Sequence, residues 1–134
     1  MNIKLALATL LITVATSSHS FANNKHKVPT ETQGLTATEL HSNNLGAQIN
    51  VPEYNLRARR VILIPGATVA PHSHAERPGF VYVERGLVIE SRNGRKRRFR
   101  EGDTWLESAS TNHWVRNPSK VKEAVLIIVD LPQN

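Results

Sequence analysis

Short apolar runs separated by turn-forming residues fill the sequence from about Leu35 onward, and they restrict the fold more than any other feature. Runs rich in Val, Ile and Leu end at Gly, Pro or Asn at intervals of about 8 to 12 residues. No segment from residue 50 onward has helical periodicity of useful length. The pattern predicts an all-β antiparallel sandwich or barrel. The predicted strands are 56–64, 79–84, 87–92, 95–100, 103–107, 112–117 and 123–131.

Three local features refine this sheet. Asn93-Gly94 separates two predicted strands and favours a type I′ hairpin turn, because both turn positions need positive φ. The run 123–131 is apolar at nearly every position and predicts a central strand covered on both sides. Tyr82 lies between two valines, so both faces of its strand are partly apolar. Such a strand favours cover by a second sheet or by a second subunit, as in a homodimer.

The first residues predict a signal peptide over 1–22. The apolar run 5–15 is too short to cross a bilayer, and Ser20-Phe21-Ala22 supplies the small residues that a signal peptidase needs. The competing interpretation is an uncleaved membrane anchor, which the lack of a further long apolar stretch disfavours. We expect a periplasmic or secreted protein with no stable membrane insertion after cleavage.

Composition then divides the remaining chain. Residues 23–34 are polar and predict a flexible N-terminal leader, which leaves 35–134 as one folded domain with a single core. The chain has no Cys, so disulfides and thiolate chemistry are both excluded.

The net charge of +6 is local. Six Lys and Arg residues lie between Arg92 and Arg100, and no acid lies among them. We therefore expect no nucleic-acid partner, since that class needs a broad basic face. The hairpin charges fit either a docking patch for an anionic polymer or lipid, or a soluble edge that discourages strand pairing, and the second is favoured. Arg57, Arg59 and Arg60 are predicted to have the same edge role.

His72 and His74 form an HxH pair. In a strand, two such side chains project to the same side about 7 Å apart along the backbone, a spacing that lets both imidazoles reach one ion. By itself such a pair is weak evidence, because paired histidines also occur on surfaces and in cores.

The surrounding residues resemble both motifs of the cupin family. The first family motif is Gly, five residues, HxH, a short gap, Glu, six residues and Gly; the second runs from a Gly through a His to an Asn. The matching positions are Gly66, His72, His74, Gly86, Gly102, His113 and Asn117. The run 72–79 is also similar to that of small exported single-domain cupins, of the type-2 superfamily, without a named activity.

This resemblance implies a double-sheet antiparallel jelly-roll barrel with an ion near one end of its interior. Its ligands would be His72, His74 and His113. Three neutral imidazoles suit Zn, Fe, Cu or Ni, and an added carboxylate would also suit Mn or Fe(II). One divalent transition metal is therefore the expected cofactor. The alternative is a trio of hydrogen-bonded histidines without an ion.

The fourth ligand is where the sequence departs from the family. The family's glutamate position falls on Gly79, which has no side chain to offer. Glu76 is a candidate replacement and a candidate catalytic base, or else a solvated loop acid. Glu107 is a weaker candidate. Arg77 is a candidate for binding an anionic substrate, or else it pairs with Glu76 or lies in water.

Together these features predict an exported metal-binding cupin. As an enzyme it would act on a small polar or anionic molecule at an open metal position. The alternative is a non-catalytic ligand-binding or structural module with a filled or empty metal site. Nothing in the sequence resembles a serine hydrolase elbow, a phosphate-binding loop or a dinucleotide fingerprint.

Overall fold

The computed structural model describes residues 27–134. The predicted signal peptide, 1–22, lies outside these residues, as does the first part of the predicted leader. The elements are β1 (Gln33–Leu45), α1 (Gly46–Ile49), β2 (Val51–Ser73), β3 (Gly79–Arg85), β4 (Leu87–Arg92), β5 (Arg95–Arg100), β6 (Thr104–Glu107), β7 (Asn112–Arg116) and β8 (Ala124–Asp130). Across the described part of the chain, no helix has the length and apolar character needed to span a membrane.

The eight strands form one antiparallel sheet that curls into a nearly closed barrel. The strand order is β5-β4-β7-β2-β8-β3-β6, and β1 pairs with β2 outside this path. Inward-facing, mostly β-branched residues fill the barrel, because such side chains pack well on a pleated surface. The fully buried members are Leu63, Val81, Val83, Val88 and Ala124. The predicted all-β antiparallel barrel is confirmed.

Strand β1 was not among the predicted strands. Most of its residues are polar and exposed, so it lacks the apolar alternation that marks a strand in sequence. It forms because β2 offers it a long antiparallel partner, from Gln33 opposite Thr68 to Leu45 opposite Val51. The predicted strand 56–64 is likewise only the middle of β2, which continues through Pro65-Gly66, residues that usually mark a turn.

The predicted leader contains ordered contacts near its end. The Thr68 hydroxyl donates to the carbonyl of Glu31 at 3.0 Å. The backbone N–H of Ala70 donates to the Thr32 hydroxyl, also at 3.0 Å. Ordered structure thus begins ahead of the predicted domain boundary at residue 35.

The local sheet predictions have separate outcomes. The predicted turn is confirmed, since Asn93 and Gly94 both have positive φ, 51° and 74°. The run 123–131 supplies β8, which lies centrally between β2 and β3. The outer face of β3 is uncovered by any described residue, because Tyr82 is 39% exposed and the neighbouring Leu106 on β6 is 65% exposed. A homodimer that covers this face stays a prediction.

The edge role predicted for Arg57, Arg59 and Arg60 is wrong. Strand β2 lies inside the sheet, where its side chains meet those of other strands. Arg57 binds the buried Asp130 carboxylate with Nε at 3.0 Å and Nη2 at 2.9 Å, and Arg59 binds it with Nη2 at 2.7 Å. These charges stabilise an interior carboxylate.

Asn117, the last residue of the second motif, holds one end of the barrel together. Its buried amide donates to the carbonyls of Leu63, Ile64 and Lys122 at 2.8 to 3.1 Å. We expect Asn117→Ala to lower the free energy of unfolding by about 2–4 kcal/mol, because these acceptors lose a shared donor inside the protein. Urea denaturation measures the loss. The exposed Asn112 is the control, and an equal effect of Asn112→Ala would contradict this role.

Candidate metal centre

Three histidines meet at one end of the barrel. His72 lies near the end of β2, His74 follows the last residue of that strand, and His113 lies on β7. His72 and His113 are direct cross-strand partners, so the pairing of β2 with β7 brings the two motifs together. The three Nε2 atoms are 3.0, 3.0 and 3.2 Å apart. His74 and His113 are each only 3% exposed.

The other ring nitrogens determine which atoms can bind a cation. Each Nδ1 faces an oxygen that accepts hydrogen bonds, so each Nδ1 carries the ring proton and donates it. These contacts are His72 to the Ala70 carbonyl at 2.8 Å, His74 to the Arg77 carbonyl at 3.3 Å, and His113 to a Glu90 carboxylate oxygen at 3.0 Å. Three Nε2 lone pairs therefore point at one another, an arrangement that a cation between them stabilises.

Burial favours the neutral form of these rings. It lowers the pKa of His72, and it lowers the pKa of His74 to about 4 with the help of the nearby His113 and His72. Metal binding requires neutral imidazole, so near neutral pH these two rings need lose no proton to bind an ion.

The spacing of the trio fits a transition metal. With metal–nitrogen bonds of about 2.0–2.1 Å, separations of 3.0 to 3.2 Å correspond to angles of about 90–105° at the metal. Such angles place all three nitrogens on one side of the ion. A metal ion held by these nitrogens would have its other side left for further ligands. The chemistry and spacing of the donor set thus fit the expected cofactor, without identifying the metal.

Glu90 on β4 supports the centre, and the sequence analysis missed it. Its carboxylate accepts from His113, from Arg92 Nε at 2.8 Å, and from Arg97 Nε and Nη2 at 3.1 and 3.0 Å. Burial raises the pKa of Glu90, but the hydrogen bonds from His113 and Arg97 outweigh it and bring the pKa to about 2. The sequence feature that could have revealed Glu90 is an acid on the same side of β4 as the buried Val88. The basic hairpin therefore supplies two arginines, Arg92 and Arg97, that bind a buried carboxylate.

The two candidate carboxylates lie in different places. Glu107 is buried beside the trio, with Oε1 3.4 Å from His113 Nε2 and Oε2 3.3 Å from His74 Nδ1. Burial raises the pKa of Glu107, against the influence of His113 and a hydrogen bond from Trp105. Glu76 is exposed and lines a surface hollow beside Gln133. The structure therefore does not bring Glu76 to the histidines, and its ligand and catalytic roles stay predictions.

The trio forms part of the wall of an interior cavity of about 180 Å³. Arg59, Arg77, Glu107 and Trp105 line it as well, and the remaining wall is mostly aliphatic. Burial lowers the pKa of Arg59, whose Nε is buried and has no hydrogen-bond partner among the described residues. The structure thus brings the predicted Arg77 to the histidines and adds Arg59, which the sequence analysis had assigned elsewhere.

The fold and site define a β-barrel with a possible three-histidine metal centre in its interior. The chain belongs to the cupin family: the family model described as "Cupin domain" matches residues 59–130, more than half of the chain. A search of curated proteins finds no match to the sequence.

Solved structures support the fold. KdgF from Halomonas sp. is 21% identical, with 84% of this chain and 91% of that chain covered and a TM-score of 0.60. A predicted oxalate decarboxylase from Thermotoga maritima is 19% identical, with 73% and 80% covered and a TM-score of 0.60. The Cnp3 cupin domain of Schizosaccharomyces pombe is 14% identical, with 76% and 66% covered and a TM-score of 0.61. At such identities the likeness establishes fold and leaves activity open.

Proposed function

We propose that this chain is a metal-dependent enzyme that acts on a small carboxylate or similar anion inside the barrel. The observation that carries the proposal is the shared wall of the cavity, where three histidines with convergent ring nitrogens and two arginines line one space. A ligand in that space would contact the metal and an arginine at once.

Charge supports an anionic ligand. Three neutral imidazoles leave the charge of a divalent ion uncompensated, and Arg59 and Arg77 add positive charge to the same cavity. Arg59 already gives Nη2 to Asp130, while its buried Nε lacks a partner among the described residues. A buried donor without an acceptor costs about 1–3 kcal/mol, and a ligand oxygen would recover that free energy.

The size and lining of the cavity set limits on the substrate. A volume of about 180 Å³ lies below the range of about 300–1,000 Å³ that is usual for ligand pockets, so the substrate must be small. The aliphatic wall, which includes Leu63, Leu126 and Ile128, favours a short apolar body behind the charged group. This description fits a small aliphatic acid.

Each group that lines the cavity would have a separate role in catalysis. A bound divalent ion would supply Lewis-acid polarisation or an activated water. Arg59 would orient the carboxylate, and Arg77 would add charge to the cavity while its carbonyl holds His74 in place. The aliphatic wall would exclude bulk water and so strengthen these electrostatic interactions.

Binding of pyruvate to the metal-loaded protein, compared with its uncharged amide, tests the anion subsite. We expect Arg59→Met to weaken pyruvate binding at least about 10-fold, the scale of one charge-assisted contact. Arg57→Met is the matched control, because Arg57 shares Asp130 but does not line the cavity. Calorimetric titration gives both affinities, and equal losses in the two variants would contradict a direct role of Arg59.

Turnover needs a second assay. The metal-loaded protein is incubated with a mixture of small aliphatic acids, and the disappearance of any component is followed by NMR. Binding without turnover of any acid would favour the non-catalytic module over the enzyme.

Export belongs to the same proposal. Its support is the N-terminal sequence, with the short apolar run 5–15 followed by the small residues around Phe21. Fractionation of cells that express the full chain tests it, and a cytoplasmic product that retains residues 1–22 would contradict it.

A further inference from the structure

The position that carries the family's glutamate has no space for a side chain here. Gly79 faces the barrel interior on β3, on the same side as Val81 and Val83. A Cβ atom at residue 79 would lie 2.8 Å from the Asp130 Cβ and 2.8 Å from the carbonyl oxygen of Val129. No carboxylate can therefore reach the centre from this strand position without moving β8.

A carboxylate reaches the same region from the neighbouring strand. Glu107 on β6 is the direct cross-strand partner of Gly79 on β3. Side chains at directly paired positions lie on one face, with Cβ atoms about 4.5–5.5 Å apart. Glu107 therefore shares the inward face of the sheet with Gly79.

We infer that Glu107 is the fourth protein ligand of the metal, taking on β6 the role that the family gives to a residue on β3. Its Oε1 lies 3.4 Å from Nε2 of His113. That nitrogen carries a lone pair, because the other nitrogen of the ring donates its proton to Glu90. Two acceptors that face each other at this distance repel unless a cation or a proton lies between them.

The surroundings of Glu107 suit a ligand of fixed orientation. The indole Nε1 of Trp105 donates to Oε1 at 3.1 Å, which holds this oxygen beside Nε2 of His113. Hydrogen-bonded support of this kind orients metal ligands in general. Among residues 27–134, no side chain donates to Glu76 in this way, and Glu76 lies exposed at the surface beside Gln133.

The assignment rests on the proposed metal site and changes its chemistry. Three imidazoles with one carboxylate form a donor set that suits Mn(II) and Fe(II) as well as Zn(II). The carboxylate also removes one unit of positive charge from the centre, which leaves the arginines to supply more of the attraction for an anion.

Metal affinity tests the inference without any assay of turnover. Metal-free protein is titrated with Zn(II) and Mn(II) against a competing chelator, for the wild type and for Glu107→Gln, Glu107→Asp and Glu76→Gln. We expect Glu107→Gln to weaken binding at least about 10- to 100-fold, since loss of a supporting residue alone costs this much. Glu107→Asp should also weaken binding, because it keeps the charge but withdraws the oxygens. Glu76→Gln should leave affinity within about twofold.

A spectrum separates a ligand from a residue that only positions one. Co(II) is loaded in place of the native ion, and its visible absorption depends on which atoms coordinate it. A ligand role predicts that the bands shift in Glu107→Gln. Unchanged bands in that variant, or wild-type affinity in Glu107→Asp, would overturn the inference.

The outcomes also separate this inference from the proposed function. Tight binding by the wild type and by Glu107→Gln alike leaves the three-histidine centre in place and removes only Glu107. A wild-type protein that binds neither Zn(II) nor Mn(II) removes the centre itself. Loss of affinity in Glu76→Gln but not in Glu107→Gln assigns the ligand to Glu76.

Discussion

His74→Ala is expected to weaken metal binding by more than about 100-fold, beyond the usual cost of losing a supporting residue. The Nε2 atom of His74 lies 3.0 Å from Nε2 of His72 and 3.0 Å from Nε2 of His113, so His74 is equidistant from the other two ligands. Removing it leaves two imidazoles on the ion. The side chain is almost fully buried, so bulk water has little direct access to replace the lost nitrogen.

Elemental analysis of untagged protein measures this effect, together with the metal-dependent rise in stability. A ligand at about 100 times its Kd adds about 2.7 kcal/mol to the free energy of unfolding, and this increment should disappear in the variant. His41→Ala is the matched control, since His41 lies exposed on β1 away from the trio. Equal metal content in His74→Ala and the wild type would remove the proposed centre.

Glu90→Ala should lower the free energy of unfolding by about 3 kcal/mol, at the low end of the range for breaking a buried ion pair. The carboxylate is fully buried and accepts from His113, Arg92 and Arg97 together. The low end applies because both arginines are partly exposed and water can solvate them. Metal affinity should fall as well, because His113 loses the partner that fixes its ring.

The same variant should change the pH dependence of unfolding. The pKa of Glu90 is about 2 in the folded protein, below its ordinary value of 4.5. A lowered folded-state pKa stabilises the protein above the unfolded value, and the contribution is lost as pH falls toward the folded value. The wild type should therefore lose this contribution between about pH 4.5 and pH 2.

Denaturation of metal-free protein across that pH range measures how the free energy of unfolding changes with pH. This change should be smaller in Glu90→Ala than in the wild type. Glu84→Ala is the control, because Glu84 and its partner Arg60 are both exposed. Its loss should cost at most about 1 kcal/mol, as for other surface ion pairs. Equal pH slopes in the wild type and Glu90→Ala would contradict the structural role of Glu90.

Local sequence patterns predicted most of the strands. They failed for β1, which forms by pairing with β2 and not by burying apolar side chains. The bounds of β4 and β5 were predicted as they occur, because each is a short run beside a recognisable Asn-Gly turn. The strand from Gln33 to Leu45 was missed, since its mostly exposed side chains carry no apolar signal. Its partner β2 continues past Pro65-Gly66, where Gly66 has a φ of +78°, although such a pair usually marks a turn.

The sequence by itself determined the strand-rich barrel and, through resemblance, the three histidines, because residue spacing and motif order are properties of the chain. Only the tertiary structure decided the partners of those histidines. It set Glu90 behind His113, Glu107 across from Gly79, and Arg59 in the cavity wall. These contacts join residues far apart in the chain, and they depend on strand register and inward direction. Both are fixed only when the whole barrel packs.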